Sequence, residues 1–170
     1  MKTILYIDGD VREPINKENN NLITHIVNNL GVMGAGVALA LLKKWPLVMQ
    51  RYKEWFKEDK DFKLGNIQTV RVEDKIVVVN MIAQNNIFDN KGVPPIRYDA
   101  LKSCLQKVNL IANKHNATVN LPYLMGAGLA GGDWNKIEQM IKEELSNKDL
   151  DVIIYKYEDP FANMFKGEIK

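Results

Sequence analysis

The stretch Leu22-Ile23-Thr24-His25-Ile26-Val27-Asn28-Asn29-Leu30-Gly31-Val32-Met33-Gly34-Ala35-Gly36-Val37-Ala38-Leu39-Ala40-Leu41-Leu42 passes from an apolar run through a glycine-rich turn into helix formers. Leu22 to Val27 predicts a buried strand that ends at Asn28-Asn29. Gly31 to Gly36 predicts a turn opening directly into a helix, with Lys43 and Lys44 near its C-terminal end, where cations suit the dipole. A similar order returns near the C-terminus. Thr118 to Leu124 reads as a strand and Gly126-Ala127-Gly128-Leu129-Ala130-Gly131-Gly132 as a second glycine turn. Asp133 then caps a helix carrying Trp134, Ile137, Met140, Ile141 and Leu145.

The intervening chain keeps this alternation. Thr3 to Ile7 predicts a first strand that runs into the Asp8-Gly9-Asp10 turn, and the polar, Pro14-containing stretch Arg12 to Asn21 predicts a surface loop. Pro46 suits the first turn of a helix reaching about Lys57, with Val48, Tyr52, Trp55 and Phe56 on one face. Asn66 to Val72 and Lys75 to Ile82 form a hairpin about Glu73-Asp74. Gln84 to Arg97 is a long loop. Ala100, Leu101, Cys104, Leu105, Val108, Ile111 and Ala112 repeat at helical spacing, and Asp151 to Tyr157 is a last strand before a tail with Pro160. The expected architecture is α/β: one domain over residues 1–170, a three-layer α/β/α sandwich about a central mixed sheet.

Composition narrows the class further. The chain has 170 residues, of which 46% are hydrophobic and 26% charged, so neither disorder nor coiled coil describes it. Lys+Arg 23 against Asp+Glu 21 gives 23 − 21 = +2, too little charge to argue for nucleic acid by bulk electrostatics. Direct nucleic-acid binding is therefore not expected. Cys104 is the single cysteine, and His25 and His115 lie far apart, so neither a disulfide nor a metal site is expected. No apolar run reaches the roughly 20 residues of a membrane span, and acidic Asp8 comes too early for a secretory signal. A cytoplasmic protein without membrane contact follows as the expectation.

Glycine turns at the carboxyl ends of strands sit where open α/β sheets bind ligands, and their exposed amides suit phosphate. Neither turn is closed by Gly-Lys-Ser/Thr, and the first is not the spaced Gly-x-Gly-x-x-Gly of dinucleotide folds. The turns serve either tight packing alone or a shared anionic ligand; two of them favour the ligand.

Nearly end to end, the chain resembles a macrodomain, the ADP-ribose-binding α/β/α module. The carriers are Ile7-Asp8-Gly9-Asp10-Val11, His25-Ile26-Val27-Asn28-Asn29, Met33-Gly34-Ala35-Gly36-Val37-Ala38, and Leu121 to Leu129 followed by Gly131-Gly132-Asp133-Trp134. The ordered set is similar to the branch containing ADP-ribose-1''-phosphate phosphatases and the deacylase-type terminal ADP-ribose glycohydrolase. The resemblance implies that Asp10 accepts from the adenine amino group, with the Val11 amide nearby. It places Asn28, Gly34, Ala35, Gly36 and Val37 along the distal ribose and diphosphate. Gly126, Ala127, Gly128, Leu129 and Ala130 wrap the diphosphate, and Tyr157 stacks on adenine or fills the rim.

In the deacylase branch a lysine attacks the anomeric carbon and an aspartate assists. Gln84 and Ala130 stand at those two positions here, and neither side chain supports that chemistry. His25, Asn28 and Gln84 remain as candidate catalytic residues, His25 as a general base or nucleophile, or as a half-buried group holding a loop carbonyl. Asp133 is expected to be a helix cap, His115 a dipole-compensating group and Cys104 core. The expected function is ADP-ribose binding with hydrolysis of a derivative, foremost removal of the phosphate of ADP-ribose-1''-phosphate. A non-catalytic reader and a hydrolase of ADP-ribosyl esters are the alternatives. No cofactor is expected.

Overall fold

The computed structural model describes residues 2–88 and 91–157. The tail with Pro160 lies outside them. In chain order the elements are β1 (Leu5–Asp8), β2 (Asn20–Asn28), α1 (Gly36–Lys44), α2 (Pro46–Glu58), β3 (Ile67–Glu73), β4 (Ile76–Gln84), α3 (Tyr98–His115), β5 (Ala117–Pro122), α4 (Trp134–Glu144) and β6 (Val152–Lys156). The strands form one six-stranded sheet ordered β1-β6-β5-β2-β4-β3. Every pairing is parallel except β3 with β4, the predicted hairpin. The mixed α/β sandwich read from the sequence is thus present.

Alternate strand residues feed two separate cores, as a pleated sheet covered on both faces requires. Val79, Met81, Val119 and Leu121 pack with Leu101, Leu105 and Val108 of α3 and Ile137 and Ile141 of α4. Ile23, Val27, Val78 and Ile82 pack on the other face with Leu41 of α1 and Val48 and Tyr52 of α2. Cys104 is fully buried in the first core, as expected, and burial pushes its thiol up to about 12.

This layering decides where a ligand fits. β2 and β5 are neighbours, yet the chain leaves β2 for α1 on one face and leaves β5 for α4 on the other. Connections that part to opposite faces open a crevice at the carboxyl ends of the two strands. Both glycine turns lie there.

Strand boundaries shift by a residue or two from the sequence reading throughout, so that Asn20, Asn21 and Gln84, read as loop, belong to strands, and at the hairpin and the end of β5 the structure shows the reason. β3 runs through Glu73, so Asp74-Lys75 makes the hairpin turn; a register shift between Arg71 and Glu73 inserts the extra residue, and the Trp45 indole donates to Glu73 at 3.0 Å. β5 stops at Pro122, because Leu124 adopts a left-handed φ of 64° that no strand accommodates. Among the described residues, no helix is long and apolar enough to cross a membrane.

Candidate functional site

A cavity of about 550 Å³ occupies the crevice, within the usual range for small-molecule sites. His25 and Asn28 of β2, Gly34 to Ala38, Gln84 of β4 and Gly126, Gly128, Leu129 and Ala130 line it. Of the predicted residues, it therefore gathers His25, Asn28, Gly34, Ala35, Gly36, Val37, Gln84, Gly126, Gly128, Leu129 and Ala130. Asp10, Val11, Ala127 and Tyr157 are not part of its wall.

The wall is built to receive negative charge. α1 begins at Gly36, and its N-cap Ala35 has no side chain able to bond the first-turn amides. Those amides are left for a ligand, together with the positive end of the helix dipole. Gly36 starts the helix at a φ of +58°, a conformation that favours glycine. No Asp, Glu, Lys or Arg stands among the described residues lining the cavity. An anion entering it meets donors and no opposing carboxylate.

The second turn faces the first. Its shape is held by Ala127 N donating to Leu124 O at 2.9 Å, Gly131 N to Gly128 O at 3.0 Å and Gly132 N to Gly126 O at 2.8 Å. The Ala127 amide is thus spent on the turn, unlike the role its resemblance implied. The amides of Gly126, Gly128, Leu129 and Ala130 have no backbone acceptor among the described residues. Asp133 caps α4 by accepting from Asn135 N at 2.9 Å, as read from the sequence.

Asn28 shapes the first turn from within. Its Oδ1 accepts from Leu30 N at 2.9 Å and Val32 N at 3.4 Å, and its Nδ2 donates to Val32 O at 2.7 Å. Tyr52 Oη, fully buried on α2, lies 2.5 Å from Asn28 O and 2.9 Å from Asn28 Oδ1. Burial pushes this hydroxyl above its ordinary range, so it acts as a donor. The carboxamide read as a reactive or ribose-contacting group is mostly consumed in holding the turn. Tyr52, read only as an apolar helix position, is the support that the sequence analysis missed. Its one signal was a hydroxyl on an apolar face, which demands a buried partner. Tyr52→Phe is expected to cost about 1 kcal/mol in urea unfolding and to loosen the turn.

His25 is more deeply buried than a loop-edge group, at 2% exposure. Asn80 Nδ2 donates to Gln68 Oε1 at 3.0 Å, so Asn80 Oδ1 is the acceptor for His25 Nε2. Nε2 therefore carries the proton, and Nδ1 is a buried lone pair with no partner among the described residues. Burial depresses the imidazole to about 4, opposed by the Asn80 bond. Unfolded, the ring takes its proton as pH falls through about 6.5; folded, it does so only near 4. Between those values the unfolded state binds more protons, so stability is lost as pH falls. Wild type is expected to lose roughly 2 kcal/mol more than His25→Gln between pH 7 and 4.5 in urea titrations. Parallel pH profiles would refute the buried neutral imidazole.

Gln84 ends β4 with its Nε2 on Asn86 O at 3.1 Å, leaving Oε1 without a partner among the described residues. Beside it, Asn29 roots the long loop by donating to Asn85 Oδ1 and accepting from Asn86 N, both at 2.9 Å.

Asp10 and Tyr157 follow the paired ends of β1 and β6, where Asp8 stands opposite Lys156. Arg12 grips the Asp10 carboxylate through its side chain, at 2.7 Å for Nη2, and through its amide at 2.9 Å. Burial pushes the Asp10 carboxyl up, but the Arg12 hydrogen bonds and charge outweigh it and hold it below its ordinary value. Tyr157 is close enough to act on the Arg12 charge and is 61% exposed. The Val11 side chain is core, which leaves its backbone as the part able to meet a ligand.

Comparison with known proteins places this geometry. No protein-family model matches the chain. A Bacteroides thetaiotaomicron protein of known structure is 47% identical, with a TM-score of 0.87 over 91% of this chain and 99% of that one. A macrodomain protein from Streptomyces coelicolor is 35% identical, with a TM-score of 0.79 over 90% of this chain and 98% of that one. The chain belongs to the macrodomain family. The fold is shared with Thermosipho africanus DarTG, solved in complex with ADP-ribose, at 17% identity and a TM-score of 0.72 over 96% of this chain and 45% of that one. The chain spans 18% and 16% of the length of the curated Chromodomain-helicase-DNA-binding protein 1-like relatives from Mus musculus and Danio rerio.

Proposed function

We propose that this chain binds an ADP-ribose group, its diphosphate between the two glycine turns and its adenine toward Asp10 and Tyr157. The observation that carries the reading is the uncapped start of α1, facing the amides of the second turn across a cavity that, among the described residues, no acidic side chain lines and where those amides have no backbone acceptor. Membership in the macrodomain family and the ADP-ribose complex of DarTG support it. In calorimetry, ADP-ribose is expected to bind at least about tenfold more tightly than adenosine, which lacks the diphosphate. Equal affinities would refute the reading. Asp10→Ala is expected to weaken ADP-ribose by about 1.5–3 kcal/mol, the range for a hydrogen bond to a charged group; unchanged affinity would displace the adenine end.

Hydrolysis is the second reading, favoured by His25, which lines the cavity and whose buried Nδ1 has no partner among the described residues. Removal of phosphate from ADP-ribose-1''-phosphate needs a group that aligns or deprotonates water, and a base depressed to about 4 is a weak one at neutral pH. Binding is therefore the better supported function. Phosphorus NMR of ADP-ribose-1''-phosphate with the protein separates the two: inorganic phosphate that disappears with His25→Ala supports turnover, and shifted diphosphate signals without release support recognition alone.

A further inference from the structure

At the opposite end of the sheet a second cleft, about 380 Å³, opens between the amino ends of β2 and β5, the β3–β4 hairpin and the last turn of α3. Its floor is apolar, formed by Leu22, Val77 and Ile111. Its rim is cationic through Arg71 and Lys75, with His115 beside them, and no Asp or Glu lines it among the described residues. The two permanent cations are held by main-chain oxygens, with Arg71 Nη1 on Asp74 O and Lys75 Nζ on Glu18 O at 2.8 Å. A carbonyl positions a cation without neutralising it, and no carboxylate pairs with either among the described residues. Asn20 Nδ2 donates to His115 O at 3.0 Å, which fastens the end of α3 to the start of β2 and fixes that wall.

We propose that this cleft binds a small organic anion: a phosphate or carboxylate head on the cationic rim, with an apolar body against the Leu22–Val77–Ile111 floor. The site is separate from the glycine-turn cavity, because Leu22 and Asn28 are about 20 Å apart along β2. It does not rest on the ADP-ribose reading.

The test is an NMR titration of labelled protein with phenyl phosphate and benzoate, with inorganic phosphate and phenol as controls. Saturable shifts are expected for residues 20–22, 71–77 and 115–117, with Kd on the order of 1 mM. Whichever of the two organic anions binds more tightly identifies the head group. Each control, lacking either body or charge, is expected to bind about tenfold more weakly. The double variant Arg71→Gln/Lys75→Gln is expected to weaken phenyl phosphate about tenfold and leave ADP-ribose affinity unchanged. Shifts that never saturate, that persist in the double variant or that fall only on the Gly34 and Gly128 amides would overturn the proposal. Equal binding of inorganic phosphate would overturn the apolar half of it.

Discussion

Gly128→Val is expected to lower ADP-ribose affinity at least about 100-fold in calorimetry while leaving the thermal unfolding midpoint unchanged or slightly raised. A Cβ built at Gly128 meets nothing within 4 Å, and its φ lies outside the left-handed region, so the folded chain accepts a side chain there. Gly128 lines the cavity, and its amide has no backbone acceptor among the described residues. A branched side chain at this point holds the diphosphate away from the amides of the second turn. Hydrogen bonds to an anion are among the stronger ones and fall off steeply with distance, so a displacement of one methyl group removes them. The restricted unfolded chain favours folding by a few tenths of a kcal/mol, which is why stability does not fall. Normal binding by this variant would make the second turn a structural feature and move the ligand elsewhere.

The alternation of strands and helices was legible because it is written in local periodicity, and the position of the cavity was legible because glycine turns announce themselves at strand ends. What could not be read was the set of partners that turns a candidate residue into a working one. His25 looked like a loop-edge base. Only the parallel register of β2 on β4 sets Asn80 opposite it, and that register joins residues 55 apart. Asn28 looked free to meet ribose, yet it is gripped by Tyr52 from a helix that sequence reasoning could place only on an apolar face. The Asp10–Arg12 pair is different. It spans two residues, and the sequence contained enough to suggest that the Asp10 carboxylate is braced from one side.

The second glycine turn also contains a residue whose replacement acts on the fold rather than on the ligand. A Cβ at Gly132 would lie 2.6 Å from the backbone oxygen of Gly126 and 2.9 Å from both Ile137 Cδ1 and Ile96 Cδ1. The two isoleucine tips can rotate away. The carbonyl cannot, because Gly132 N itself donates to that oxygen at 2.8 Å, closing the turn into a ring. Relief requires either breaking the bond or pushing the turn off α4, whose Ile137 is fully buried. Gly132→Ala is accordingly expected to cost about 3 kcal/mol, the upper part of the range for overpacking a tight site. For a chain of this size that is a fall of roughly 6–12 °C in the unfolding midpoint, measured by calorimetry without ligand. Saturating ADP-ribose is expected to restore part of the loss by mass action if the remaining folded molecules keep the cavity. A midpoint within about 2 °C of wild type would mean that the Gly126–Gly132 ring does not hold the turn, and the amides facing α1 would then need another source of order.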